Sequence, residues 1–326
     1  MSSYDSLAGR PELKEQLDAA IKRGRLSHAV MLTGPAGSGK RSWGSLLAQA
    51  ILCPQRIGVQ PCMKCRSCRT FASGNHPGYY YLEPEKKKLK TEQFRAIRDH
   101  FYLGDNLKVC LIDQAEAMTA ETASSLLKIL EEPPVGLTFI LLSEQPRAMF
   151  DTILSRCQRY VLQPLDYALI AGLLAENDLA GGEKAELIAR LSGGLPGLAF
   201  NMAADPAFDD RYKDAKSLAY NIATGRDSAA KLISWAVSLA DREDLILLLE
   251  LVALLYRDGL MQSLCRRGDD SYSFEAPAVW TDQVSTAGLE TAILEINRTV
   301  FELLMTNVNR RLLLEKLLIM LQRRLS

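Results

Sequence analysis

The stretch Gly34-Pro35-Ala36-Gly37-Ser38-Gly39-Lys40 fits the pattern G-x-x-x-x-G-K. Thirteen residues beyond its lysine, Cys53 opens the spacing C-x8-C-x2-C-x2-C, completed by Cys62, Cys65 and Cys68. Glycines at these positions let backbone N–H groups close around phosphate oxygens, and the N-terminus of a following helix adds partial positive charge. Lys40 is placed to reach the terminal phosphates of a nucleotide. The apolar run His28 to Thr33 precedes the loop and Arg41 to Leu52 has helical spacing, which predicts strand, phosphate loop, helix.

Further strands are predicted at Tyr79 to Leu82, Lys108 to Asp113, Thr138 to Ser143 and Gln158 to Leu162. Helices are predicted between them at Thr91 to Leu103, Ala120 to Glu132 and Arg147 to Leu154. Alternation of this kind implies a parallel sheet with right-handed crossovers. After Pro164 the strand-like runs stop, and short helices are broken at Gly181-Gly182 and at Gly193 to Gly197. Long amphipathic helices follow, the last expected as one piece over Thr299 to Leu325. The expected layout is an α/β domain over 1–165 with a cysteine module at 53–68, a small helical domain over 166–206 and a larger helical domain over 207–326.

Lys plus Arg and Asp plus Glu both number 39, so contact with nucleic acid must come from a local patch or from an assembly. Met1 to Arg10 lacks the apolar core of a secretory signal. The longest apolar run, Leu245 to Tyr256, is interrupted by Glu250 and too short to span a bilayer. Beyond the four spaced cysteines, Cys110, Cys157 and Cys265 are isolated, which argues against a disulfide framework and fits a reducing cytoplasm.

The nucleotide motifs carry defects. The Ser or Thr that normally follows the loop lysine and holds Mg²⁺ is Arg41. Ser42 does not substitute, because one helical step rotates a side chain by about 100°. Asp113 ends an apolar strand where a metal-supporting carboxylate belongs, but the next residue is Gln114, and an amide cannot take a proton from water. Glu116 is expected to be a solvated helix start. The four thiolates suit tetrahedral zinc and leave no coordination position open, so the ion would be structural; an iron–sulfur cluster and chance spacing are the competing readings. His76 is surplus to that set.

A phosphate loop followed by this cysteine knuckle resembles bacterial clamp-loader subunits, a branch of the AAA+ ATPases. Three stretches extend the resemblance over nearly the whole chain: Ser125 to Pro134 (SLLKILEEPP), Thr152 to Cys157 (TILSRC) and Asn307 to Leu312 (NVNRRL). The resemblance implies an AAA+ P-loop domain, a helical lid and an all-α collar that assembles with other clamp-loader subunits, contacting primed DNA and the sliding clamp through the assembly. It implies Gly34, Gly37, Gly39, Lys40, Asp113 and Ser143 as an ATP site, Ser143 at the first sensor position, and leaves present binding of ATP and Mg²⁺ open. Arg41, Gln114 and Pro196, where motor subunits place a sensor arginine, are similar to the delta-prime branch rather than to the ATP-hydrolysing motor. That branch lends the arginine of S-R-C, here Arg156, to the neighbouring motor's nucleotide, with Ser155 and Cys157 setting its orientation, and has no independent catalysis. The runner-up is an active motor ATPase. A third reading is a zinc-dependent nucleic-acid adaptor using the knuckle and the Lys86, Lys87, Lys88 and Lys90 run, although that run, lacking interleaved aromatics, reads more strongly as a solvated loop.

Overall fold

Two-residue alternation within short apolar strands builds the central sheet. Val30 and Leu32 of β1 (Ala29–Thr33), Val109 and Leu111 of β3 (Lys108–Ile112), and Ile140 and Leu142 of β4 (Leu137–Ser143) face one side. There they meet Leu13 and Leu17 of α1 (Pro11–Lys22) and Trp43, Leu46 and Leu47 of α2 (Lys40–Leu52). Met31, Cys110, Ile112, Phe139 and Leu141 face the other. They pack on Phe94 of α4 (Thr91–Arg98), Leu126, Ile129 and Leu130 of α5 (Ala120–Glu131) and Ile153 of α6 (Asp151–Leu154). Burial on both faces explains why these strands are continuously apolar. With β2 (Tyr79–Leu82) and β5 (Gln158–Val161), all pairs are parallel, in the order β2-β3-β4-β1-β5. The computed structural model describes residues 9–104, 106–225, 228–265, 284–306 and 308–325.

This is the α/β P-loop architecture that the alternation predicted, followed by a region that is helical among the described residues. The chain divides by packing into two units. One comprises the residues through Asn177 plus Gly194–Leu198, and the other Asp178–Gly193 plus the residues from Ala199 onward. The first unit holds the sheet, α3 (Arg66–Ala72) and α7 (Tyr167–Glu176). The second contains α8 (Gly182–Leu191), most of α9 (Pro196–Ala204), α10 (Phe208–Ala223), α11 (Ala229–Ala240), α12 (Leu245–Cys265), α13 (Thr286–Met305) and α14 (Arg310–Leu325). No helix among the described residues is long and apolar enough to cross a membrane.

Several helix boundaries differ from the periodicity. The helix expected over Thr299 to Leu325 is two helices. Thr306 turns its hydroxyl back onto the Glu302 carbonyl (2.7 Å) while its own backbone goes extended, and Asn309 Oδ1 then accepts from the Leu312 amide (3.2 Å) to start α14. Both are local hydrogen bonds that compete with a continuous helix. Asn307, part of the motif quoted above, lies outside the described residues. The two helices approach so closely that a Cβ on Gly288 would stand 2.5 Å from the Arg324 carbonyl. The helix expected over Arg147 to Leu154 is α6 alone, preceded by a 3₁₀ turn at Pro146–Ala148, because Pro146 and the extended Met149 and Phe150 delay its start. Likewise α4 stops at Arg98, and a 3₁₀ turn over Asp99–Tyr102 continues it so that Phe101 enters the core.

In the helical unit, Asp244 accepts from Arg242 Nε (2.8 Å) and Arg211 Nε (3.0 Å), while Arg242 also reaches Asp214 (2.8 Å). The hydrogen bond from Arg242 leads the effects that hold the Asp244 carboxyl down at about 2, against an ordinary 3.8. A depressed carboxyl contributes stability that is complete above its unfolded-state pKa and lost as pH falls through the folded one. Asp244→Asn is therefore expected to destabilise the chain by about 1–3 kcal/mol near pH 6. In thermal melts across pH, its difference from the unsubstituted chain should close between pH 4 and pH 2.

Candidate functional site

The phosphate loop connects β1 to α2, at the carboxyl ends of the strands where open α/β sheets bind ligands. Gly37 (φ +75°) and Gly39 (φ +89°) hold left-handed conformations that a side chain would strain. Space is short as well: a Cβ on Gly37 would meet the Leu198 amide nitrogen at 3.1 Å. The segment Gly194–Leu198 lies on the loop, with the Gly197 N–H donating to the Gly37 carbonyl (2.8 Å) and Pro196 beside Gly39.

Lys40 is buried, and its ammonium is fully engaged. It donates to the carbonyls of Gly34 (2.9 Å) and Pro35 (2.8 Å) and to Glu144 Oε1 (3.2 Å). Three donors meet three acceptors, two in the loop and one just after β4. Beside it, Arg41 turns back onto Asp113, with Nη2 at 2.6 Å and Nε at 2.7 Å from Oδ2. Tyr81 donates its hydroxyl to the same oxygen (3.0 Å), and the Gln114 amide caps Oδ1 (2.9 Å). The Asp113 hydrogen bond is the main reason the Arg41 pKa rises. Asp113 is buried and Arg41 largely exposed, so the guanidinium closes over a carboxylate sunk at the end of β3.

Ser143 ends β4 opposite Thr33 in the register, with its hydroxyl buried and without a hydrogen-bond partner, while its carbonyl accepts from the Gly34 amide (3.2 Å). Gly34, Gly37, Gly39, Lys40, Asp113 and Ser143 thus share one end of the sheet. Glu116 is not the solvated helix start that its position suggested. Its Oε1 accepts from the Glu144 amide (3.0 Å) and its Oε2 is buried and unpartnered, because the 3₁₀ turn Ala115–Ala117 rotates it toward the neighbouring strand end.

Two further residues belong to this end of the sheet. Glu144 was discoverable as the carboxylate directly after a predicted strand. Arg10 had no sequence signal; its buried guanidinium donates to the Ser38 carbonyl (2.9 Å), and burial lowers its pKa to about 10.

The four cysteine sulfurs lie within 4.8 Å of one another and can hold a metal ion. The Cys53–Cys65 and Cys62–Cys68 separations are 3.9 and 4.0 Å. A tetrahedron with metal–sulfur bonds of about 2.3 Å has edges of about 3.8 Å. Amides of Cys62, Cys65 and Cys68 donate to Cys53, Cys62 and Cys65 sulfurs respectively, each at 3.4 Å, as a thiolate cluster requires of its surroundings. Met63 supports the first turn in a left-handed conformation (φ 59°). Backbone donation at Lys64 leads the effects that bring the Cys62 thiol down to about 6, whereas burial raises those of Cys53 and Cys68. His76 is not part of the cluster: it pairs with the Ser67 hydroxyl (3.0 Å), which donates to the Leu52 carbonyl (2.8 Å) and so ties the knuckle to α2.

Arg156 follows α6. Its Nη1 donates to the Thr152 carbonyl (3.1 Å) and Ser155 Oγ (3.3 Å), and its Nη2 to Glu131 Oε1 at 2.9 Å. The next residue, Cys157, packs against the core, where burial pushes its thiol up to about 11. Lys86 and Lys87 form an exposed tight turn with φ of 48° and 72°, closed by paired backbone hydrogen bonds between Glu85 and Lys88.

Comparison with known proteins follows the same features. Residues 9–166 match the family model described as DNA polymerase III, delta subunit. The DNA polymerase III subunit delta' of Bacillus subtilis is 31% identical over 324 residues, covering 96% of each chain. That of Escherichia coli is 32% identical over 222 residues, 66% of each. A solved gamma subunit-related protein of Thermotoga maritima aligns with 96% of this chain and 99% of its own at 18% identity, with a TM-score of 0.41. On the near full-length match to the Bacillus subtilis relative, the chain belongs to the delta-prime family of DNA polymerase III subunits.

Proposed function

We propose that this chain is a non-hydrolysing stator of a bacterial clamp loader, helping to place the sliding clamp on primed DNA, and that it lends Arg156 in trans to the nucleotide of a neighbouring ATPase subunit. The observation that carries this reading is the Arg41–Asp113 pair: a fixed guanidinium occupies the carboxylate that would support Mg²⁺, while Lys40 is engaged by its own loop. Gln114 supplies no base to activate water. Arg156, by contrast, is partly exposed and follows a helix end anchored by Cys157.

A guanidinium against a transferring γ-phosphate stabilises the charge that spreads over its oxygens in the transition state. Zinc in the cysteine knuckle would be structural, holding the segment between α2 and α3 in place of an apolar core. Leu294, Phe301, Leu304 and Met305 are exposed along α13, which fits a collar that docks other subunits. DNA would be met through the assembly, since the chain itself carries no net charge.

Three outcomes are expected. In the reconstituted clamp loader, Arg156→Ala leaves assembly intact while DNA-stimulated hydrolysis at the adjoining ATPase site falls by about 10³ or more; undiminished hydrolysis there removes the stator reading. Arg41→Ser frees Asp113 and restores a hydroxyl beside Lys40, so titration with a fluorescent ATP analogue should tighten at least about 10-fold on adding Mg²⁺, about 1.4 kcal/mol, where the unsubstituted chain shows no such dependence. Native mass spectrometry should find one zinc per chain, lost in Cys65→Ser together with a clear fall in melting temperature.

A further inference from the structure

The geometry points to Glu131 as the positioning residue for Arg156, an assignment that rests on the reading of Arg156 as a finger acting in trans. An arginine on a short helix end has several rotatable bonds, and fixing them costs up to about 2 kcal/mol of side-chain entropy. A finger that must find its rotamer during each catalytic encounter loses that amount from its contribution to the rate. Here the rotamer is set in advance by three acceptors from two different elements. Thr152 and Ser155, on and just after α6, take Nη1, while Glu131, the last residue of α5, takes Nη2.

The donor count leaves room for a ligand. A guanidinium offers five N–H groups, and these contacts engage three. The Nε–H and one Nη2–H remain to meet phosphate oxygens. Glu131 can therefore stay in place while the free edge meets a nucleotide. Its carboxylate stands in the chain as the acid of a carboxylate–base pair stands to the base, orienting a cation without touching the reacting atoms.

The alternative role for the same contact is a latch, in which Glu131 competes with the γ-phosphate and must let go. The donor count argues for positioning, because Glu131 takes only one Nη2–H while Nη1 is held by Thr152 and Ser155, so a phosphate can be met without displacing the carboxylate. Both side chains are partly exposed, 37% for Arg156 and 55% for Glu131, so the pair itself contributes little to folding and its removal should not disturb the α5–α6 packing.

The test is steady-state and single-turnover ATP hydrolysis by the reconstituted clamp loader carrying the full-length chain. Glu131→Ala is expected to lower kcat at the adjoining site about 10-fold, as loss of orientation does, with KM for ATP changed less than twofold and the melting temperature unaltered. Glu131→Gln, which keeps an acceptor, should recover most of that loss. On an Arg156→Ala background, Glu131→Ala should have no further effect, since the two act as one unit. An unchanged or raised kcat in Glu131→Ala, or an equal loss with and without Arg156, overturns the assignment. A silent Arg156→Ala would instead overturn the trans-finger reading beneath it, so the two failures are distinguishable.

Discussion

A buried carboxylate at the end of a parallel strand needs a cation, and in this chain the partner is covalently attached. Asp113 collects two nitrogens of Arg41, the Tyr81 hydroxyl and the Gln114 amide, which satisfies a group that would otherwise be costly to bury. The rest of the phosphate-loop end follows from that closure. Lys40 folds onto the loop carbonyls and Glu144, and Glu116 fastens Glu144 from the other side. The loop keeps its left-handed glycines and its place between β1 and α2, so the architecture of a nucleotide site persists while its charges are neutralised internally.

The same arrangement gives the chain a division of labour in the proposed reading. Charges at the phosphate loop are paired with one another, Lys40 with Glu144 and Arg41 with Asp113. The cation near α6 is held at the surface by Thr152, Ser155 and Glu131, with donors left over. Cys157, half-buried, anchors its base against the apolar layer that also contains Ile153 and Leu126. The cysteine knuckle plays a comparable part for the long α2-to-α3 connection, which has few apolar side chains of its own and is tied back by Ser67 to Leu52 and by the Val59 amide to Asp18 (2.7 Å).

Much of this was legible in the residues. Continuous apolar runs such as Val109 to Ile112 announced strands covered on both faces, and the G-x-x-x-x-G-K spacing located the turn between the first strand and its helix. The cysteine spacing announced the cluster, because a tight turn at each C-x2-C step brings two sulfurs within reach of one ion. What periodicity could not see were breaks made by single hydrogen bonds. Thr306 and Asn309 divide a helix that reads as one, and Pro146 shortens another. Nor could it find Arg10, whose place on the Ser38 carbonyl is a long-range contact with no local pattern. The pairing of Glu131 with Arg156 was hidden for the same reason, since 25 residues separate two motifs that fall on different helices.

The central claim is that the cation-closed carboxylate leaves this chain unable to fire its own site. The most direct measurement is single-turnover release of phosphate from ATP and Mg²⁺ by the purified chain without other subunits, set beside Lys40→Ala. The account predicts identical traces, both at the uncatalysed background. Release that depends on Mg²⁺ and disappears in Lys40→Ala would contradict it.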